Sequence, residues 1–218
     1  ETPLRVAMVP CREEPALSFD AIRRDLAAKW PGLPSPDGCE EADGAVVFSL
    51  GPATVALGVM PAPIPWSDLE GPCETSILWP DAADVLRPHK SHLIVSVFGE
   101  IDPIPLATLV TQVTVSVLAT TPSALGVYWG GAALIVRKRS FLDLAVEMLP
   151  QGPPLLLWVD FRVFPDGERS SGGFTHGMVP LGHMEFEAQN TPEPPHELWD
   201  RLQSLAAYVA EKGPVIKD

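Results

Sequence analysis

The stretch VVFSLGPATV at residues 46–55 consists of two apolar runs on either side of a Gly51-Pro52 turn. A second stretch, LGVYWGGAAL at residues 125–134, has the same arrangement around Gly130. Short apolar runs that meet at glycine or proline indicate two strands joined by a tight turn. The sequence therefore predicts a pair of strands at each of these two places.

Each predicted strand pair follows an apolar strand and a helix with a regular apolar stripe. The first helix is predicted over residues 18–30, and the second begins at Asp102-Pro103 and continues to about residue 119. In both, apolar residues recur at intervals of three and four, which places them on one face of a helix. The segments 4–60 and 93–136 thus share a β-α-β-β plan, which predicts an internal duplication.

The sequence of the last third of the chain predicts a β-β-α unit. Its strands are expected at residues 155–164 and 178–187, and its helix ends at Gly213-Pro214. Helices that cover a sheet define the α+β class. We therefore expect a two-layer sandwich with a mixed, largely antiparallel sheet, built from duplicated β-α-β-β units and a C-terminal β-β-α unit. Residues 1–88 would hold the first unit and residues 89–218 the rest, within one compact body.

Three segments lack a regular apolar pattern. The run MPAPIPW at residues 60–66 has a proline at every second position, which predicts an extended strap. The predicted loops are residues 31–43 and most of residues 67–88, with a short helix at 81–86. His89 and His92 follow, and we expect them in a solvated loop at the start of a strand.

The charge balance excludes some partners. The chain has 15 basic and 28 acidic residues, a net charge of −13, and phosphate backbones require clustered Lys and Arg. Nucleic acid is therefore not an expected partner. One basic cluster, Arg137-Lys138-Arg139, is expected just before a helix at Ser140. The acidity favours either simple solubility or a surface that attracts a basic protein.

Familiar catalytic and cofactor motifs do not occur in the sequence. The GxxxxGK[ST], GxSxG and HExxH patterns are missing, so no cofactor and no metal site are predicted. Cys11, Cys39 and Cys73 are odd in number and have no CxxC spacing, which favours a reduced, cytoplasmic protein. No apolar run reaches the roughly 18 residues that a membrane span requires, so no membrane contact is expected.

A possible enzymatic site involves histidine and glutamate. His183 and Glu185 would share one face of the predicted strand, and His176 lies shortly before it. Such a set can bind a metal or act as acid and base, which leaves a small hydrolase as an alternative function. The same alternation is common in half-exposed strands.

A protein-binding site is the other possibility. Tryptophans often anchor interfaces, and acidic residues near them would attract a basic partner. Packing in the core and solvation in loops are the ordinary alternatives. The candidate residues are Asp37, Glu40, Glu41, Asp43, Trp66, Asp68, Glu70, Glu74 and Trp79.

Several further motifs resemble those of a known family. They are MPAPIPW at 60–66, SALGVYWGGA at 123–132, LWVDF at 157–161, FTHGM at 174–178 and AYVAEKGPVIKD at 207–218. Together they resemble the bacterial domain-of-unknown-function family 4261, most clearly from about Met60 onward. The resemblance implies a bacterial protein found with secretion-system and polymorphic-toxin genes. It therefore favours a non-catalytic immunity protein that occludes the active site of a cognate toxin, with a structural adaptor as a further alternative.

Overall fold

The computed structural model of the chain describes residues 4–42, 44–167 and 169–213. The elements of its first half are β1 (Leu4–Cys11), α1 (Phe19–Lys29), β2 (Asp37–Ala42), β3 (Ala45–Leu50), β4 (Ala53–Met60), α2 (Trp66–Thr75), α3 (Ala82–Leu86) and β5 (Ser91–Phe98). Those of its second half are α4 (Pro103–Thr120), β6 (Gly126–Trp129), β7 (Leu134–Arg137), α5 (Lys138–Met148), α6 (Leu155–Trp158), β8 (Asp160–Pro165), β9 (Ser171–His176), β10 (Glu187–Thr191) and α7 (Pro195–Lys212).

The strands form two sheets. The larger has seven strands in the order β2-β3-β4-β5-β1-β6-β7, and the smaller has three in the order β10-β9-β8. All pairings between the described strands are antiparallel. The α+β prediction is confirmed. Strand β1 lies between β5 and β6, where Ala7 is opposite Val95 on one side and Trp129 on the other.

The predicted duplication is not confirmed by the strand directions. Strand β3 runs antiparallel to β1, because β3, β4, β5 and β1 reverse direction at each step. Strand β6 runs parallel to β5, because both are antiparallel to β1 between them. The connection through α1 leads to β2, which is parallel to β1, so it keeps the chain direction as the connection through α4 does. The predicted pair β3 and β4 begins one strand later and therefore does not correspond to β6 and β7.

The main core lies on one face of the large sheet, under helices α1, α4 and α5. Strand β1 contributes Ala7 and Val9, both fully buried, and β3 contributes Val46 and Phe48. These inward residues are two apart, as the alternation of a strand requires. The ring of Phe48 lies 5.2 Å from that of Phe19 at the start of α1, centre to centre. The strand pair predicted at residues 46–55 is thus present, as β3 and β4.

Helix α4 is the central helix of this layer. It packs on β1 and β5 and contacts both α1 and α5. Its 18 residues have a mean hydropathy of 1.4, so by length and composition it could cross a membrane, but 56% of it is buried within the fold. Its Thr111 hydroxyl donates to Ala107 O and accepts from the indole Nε1 of Trp158, both at 2.8 Å. The helix is thus the core helix of this fold, and its polar groups are partly satisfied internally.

A second apolar cluster covers part of the opposite face. It joins α2 and α3 to the sheet through Leu69, Trp79 and Leu86 on one side and Ile135 and Leu125 on the other. Helices therefore lie on both faces of this part of the sheet, a third layer that the predicted sandwich does not include. Helix α2 was predicted as loop because Gly71 and Pro72 interrupt its pattern.

Two buried histidines hold the proline-rich strap against the sheet. His89 and His92 are only 6% and 7% exposed, so the predicted solvated loop is wrong. The backbone N–H of Ile64 donates to His89 Nε2 at 2.8 Å, and His89 Nδ1 lies 2.5 Å from Leu86 O. His92 Nδ1 lies 2.8 Å from Ala62 O. Because Nε2 of His89 is an acceptor, its ring is neutral and Nδ1 donates.

The C-terminal part differs from the predicted β-β-α unit at its strands. Residues 155–158 form the short helix α6, and the strand follows it as β8. The returning strand is β9 at Ser171–His176, not residues 178–187. Two glycines obscure the alternating pattern of this strand, but Gly173 is required, because a Cβ there would lie 2.7 Å from the backbone oxygen of Arg162.

We expect acid to weaken the fold through His89. Burial lowers the pKa of His89, so the folded protein binds a proton at this ring less readily than the unfolded chain. Stability should therefore fall as pH drops below about 6.5, the ordinary pKa of histidine. Urea unfolding between pH 7.5 and pH 5.5 should show a smaller loss for His89→Gln than for the wild type. His196→Gln, an exposed control, should follow the wild type, and an unchanged slope for His89→Gln would contradict the prediction.

A glycine in β6 should not tolerate even one methyl group. A Cβ on Gly126 would lie 2.4 Å from Trp79 Cζ3 and 2.5 Å from Val136 O, and a backbone oxygen cannot move away cheaply. Gly126→Ala should therefore destabilise the protein by about 2 kcal/mol, measured by thermal or urea unfolding. Gly58→Ala in β4 is the matched strand control, since a Cβ there meets nothing within 4 Å, and its stability should stay close to that of the wild type.

Candidate functional site

The first predicted acidic loop is an edge strand. Asp37, Glu40 and Glu41 belong to β2, whose six residues are all exposed and which pairs with β3 on one side. A register shift between Asp37 and Glu40 marks a β-bulge. Asp43, predicted with them, lies outside the described residues. The strand was predicted as loop because its residues are polar on both faces, which leaves no alternation to detect.

The register of β2 decides which face each acid occupies. Glu40 is opposite Val47 and Asp37 is opposite Ser49, and antiparallel partners point to the same face. Val47 lies on the face away from α1 and α4 and is 36% exposed. Asp37 and Glu40 therefore share this outward face, whereas Glu41, opposite Val46, lies on the helix side.

The neighbouring strand continues this outward face with apolar and small residues. Ala56 on β4 is opposite Val47, and Met60 at the end of β4 is 41% exposed. We call the surface formed by Asp37, Glu40, Val47, Ala56 and Met60 the acidic open face. Neither Val47 nor Met60 was predicted as a site residue, because their exposure depends on which face the helices cover.

The second predicted acidic segment is helix α2. Asp68, Glu70 and Glu74 are exposed on it. Trp66, at its start, is half-buried: its indole Nε1 donates to Glu70 Oε1 at 3.1 Å, and the Arg87 guanidinium lies 4.1 Å from the ring centre. This tryptophan is therefore already engaged by its own chain.

Trp79 is not available to a partner. It is 1% exposed and belongs to the cluster between α2, α3 and the sheet. The prediction that it anchors an interface is therefore wrong for this structure, since a side chain so deeply buried cannot contact another protein. The sequence gave no sign of this core, because Trp79 lies in an acidic stretch without a regular apolar pattern.

The structure does not bring the two acidic segments together. Strand β2 is one edge of the large sheet, and α2 packs against β7, the opposite edge. The edges are six strand positions apart, and a spacing of about 4.8 Å makes this roughly 29 Å. A partner that covers one segment therefore need not reach the other.

The glutamate of the histidine and glutamate set is bound by groups of its own chain. Glu185 does not lie on a strand; its Oε1 accepts from the N–H groups of Gly177 at 2.8 Å and Val179 at 3.2 Å, and its Oε2 accepts from the Thr175 hydroxyl at 2.8 Å. Partial burial acts to raise the pKa of Glu185, but these hydrogen bonds outweigh it and lower the pKa. The carboxylate thus fixes the turn after β9.

The histidines do not complete a ligand set with Glu185. His176 ends β9, opposite Asp160, while His183 lies between the 3₁₀ turn at residues 179–181 and β10. Within the described residues, no group of three or more His, Cys, Asp or Glu side chains is placed to hold a metal ion. The geometry around Glu185 therefore gives no support to the hydrolase alternative.

We predict a structural role for Glu185. Glu185→Gln should lower the free energy of unfolding at pH 7 by about 1–2 kcal/mol, because hydrogen bonds to a charged acceptor are lost or weakened. A depressed folded pKa stabilises the protein above the unfolded value of about 4.3, and this contribution is lost as pH falls through the folded pKa. The difference from the wild type should therefore shrink below pH 4 in urea unfolding. Glu187→Gln on β10 is the exposed control, and equal stability of Glu185→Gln at pH 7 would refute this role.

The chain is thus an α+β protein with an acidic edge strand beside an open sheet face. Residues 174–218 match the model of a family described as Domain of unknown function (DUF4261). This similarity covers about a fifth of the chain and includes the FTHGM and AYVAEKGPVIKD motifs, while the other three motifs lie outside it. No curated protein and no solved structure shows significant similarity to the chain.

Proposed function

We propose that the protein is an immunity protein, which binds a cognate bacterial toxin with a basic surface and covers its active site. The acidic open face is the observation that supports this proposal most. It combines exposed apolar residues, Val47 and Met60, with the carboxylates of Asp37 and Glu40 on the adjoining edge strand. A nonpolar centre with a charged rim is the usual composition of a protein interface.

The edge strand favours a basic partner over others. An exposed strand edge can pair with many chains, and proteins limit this with charges and bulges. Strand β2 has both, since Asp37, Glu40 and Glu41 accompany its bulge. These acids repel acidic surfaces and attract a surface rich in Lys and Arg. Recognition would therefore depend on the partner's positive charge.

The overall charge supports the same mode of binding. A net charge of −13 accelerates the encounter with a basic protein. Fast association is useful to an inhibitor, because it must bind the toxin before the toxin acts. The acids of β2 then fix the orientation, and the apolar residues beside them lose contact with water on binding. Inhibition requires only that the bound protein blocks access to the toxin's active site.

The cysteines suit a reduced cytoplasm and provide a probe of the interface. All three are free; Cys11 and Cys73 are buried, and burial raises the pKa of each of these thiols to about 11. Cys39 is exposed and lies within β2, beside the acids of the acidic open face. A thiol reagent should therefore modify Cys39 selectively, and a partner on β2 should protect it.

The experiment co-expresses the protein with the product of each neighbouring gene of its native host. One of these products should stop bacterial growth when expressed alone, and this protein should restore growth and co-purify with it. The complex should slow alkylation of Cys39. Raising the salt from about 0.1 M to about 1 M shortens the Debye length from about 10 Å to about 3 Å, so the association rate should fall.

Variants locate the contact. Glu40→Lys with Val47→Ser should weaken the toxin complex at least about tenfold, because a negative charge and an apolar contact are both lost. Glu70→Lys with Glu74→Lys, a control on α2 that changes the net charge more, should bind nearly as the wild type does. Equal effects of the two double variants would reject the acidic open face as the interface. Binding without protection of growth would instead indicate an adaptor and reject the immunity function.

A further inference from the structure

A surface cavity of about 510 Å³ lies where the end of β1 meets the start of α5. Four of the residues that line it are basic: Arg12 directly follows β1, and Arg137, Lys138 and Arg139 span the junction of β7 and α5. The protein has 15 basic residues against 28 acidic ones. The four cations at this cavity therefore form a positively charged site in a molecule whose net charge is negative.

Only part of this positive charge is neutralised by the chain itself. Arg137 donates to both carboxylate oxygens of Asp81, at 2.5 and 2.7 Å. Arg139 lies 3.5 Å from Asp143, but its side chain is 90% exposed, and such surface pairs are weak.

Among the described residues, Arg12 and Lys138 have no acidic partner. Within the described part of the chain, no carboxylate forms an ion pair with Arg12 or Lys138. Lys138 Nζ donates to the carbonyl oxygen of Thr121 at 2.7 Å. Burial, with a smaller contribution from the charge of Arg12, lowers the pKa of Lys138. The repulsion between these two side chains would be relieved by a bound anion.

The start of α5 adds to the positive potential. This helix begins at Lys138, two residues before the predicted Ser140, and its first turn has neither an acidic residue nor a side-chain cap. The N–H of Lys138 is bonded to Leu125 O, so the basic side chains rather than this N–H would hold a ligand. The dipole of the 11-residue helix favours negative charge at this end.

The remaining wall of the cavity is apolar. Val85, Leu125 and Leu142 line it beside the basic residues. A volume of about 510 Å³ falls within the range of small-molecule sites, and such sites combine apolar walls with a few charged groups. The ligand that suits both walls has a compact, multiply charged anionic group joined to a nonpolar body.

We propose that this cavity binds a small organic phosphate. A phosphate dianion matches two unneutralised cations and the start of a helix better than a single carboxylate does. Arg12, Lys138 and Arg139 would hold the phosphate, and Leu125 and Leu142 would contact the nonpolar part. This site lies away from the acidic open face, so the proposal does not depend on the proposed immunity function.

The test is calorimetric titration of the full chain with three probes: inorganic phosphate, adenosine monophosphate and adenosine. Adenosine monophosphate should bind more tightly than phosphate, because its base adds contact with the apolar wall. It should also bind at least about tenfold more tightly than adenosine, because charge-assisted hydrogen bonds to phosphate are strong. A dissociation constant of about 1 mM or less for adenosine monophosphate supports the site.

Matched variants separate the cavity from general charge effects. Arg12→Gln with Arg139→Gln should weaken the binding of adenosine monophosphate at least about tenfold. Both residues are exposed, so the fold should persist. Arg23→Gln with Arg24→Gln removes the same charge from the exposed surface of α1 and should leave affinity within about twofold, as expected for screened distant charges. Equal losses in the two variants, equal affinity for adenosine and its monophosphate, or no binding of any probe would each overturn the proposal.

Discussion

Strand β1 is enclosed on both edges and both faces, and the rest of the large sheet is arranged around it. Its hydrogen-bonding edges are occupied by β5 and β6. On one face Ala7 and Val9 are fully buried under the main core, and on the other Met8 packs against the cluster formed with α2 and α3. A strand buried over much of its length requires partners for its backbone groups along both edges. The positions of β5 and β6 meet that requirement.

The sequence predicted those elements whose pattern is local. The strand pair at residues 46–55, the helix after Asp102 and the C-terminal helix each show their apolar period directly, and all are present. Strand β2 and helix α2 were missed for different reasons. The first is polar on both faces because it is an edge, and the second is held by two buried residues, Leu69 and Cys73, that Gly71 and Pro72 obscure.

Predicting the candidate sites required more knowledge of the tertiary structure than predicting the helices and strands did. Acidity near β2 was visible in the sequence, but placing Glu40 beside Val47 required the pairing register and the bulge. Trp79 could not be recognised as core, because the residues that bury it, such as Leu125 and Ile135, are distant in the chain. Similarly, Arg12 approaches Arg137–Arg139 only because the end of β1 bridges to the segment before β6, where Cys11 is opposite Ala124.

The order of the strands has a consequence for the synthesis of the chain. Strand β1 is synthesised before its two neighbours, which span residues 91–98 and 126–129. The hairpin of β3 and β4 can form early, whereas β1 is paired on both edges only after residue 129 has been made. Such distant pairings carry a large loop-closure cost and fold slowly. Until β5 and β6 are made, the nascent chain therefore exposes an apolar strand with two unpaired edges, which is a typical substrate of chaperones that bind growing chains.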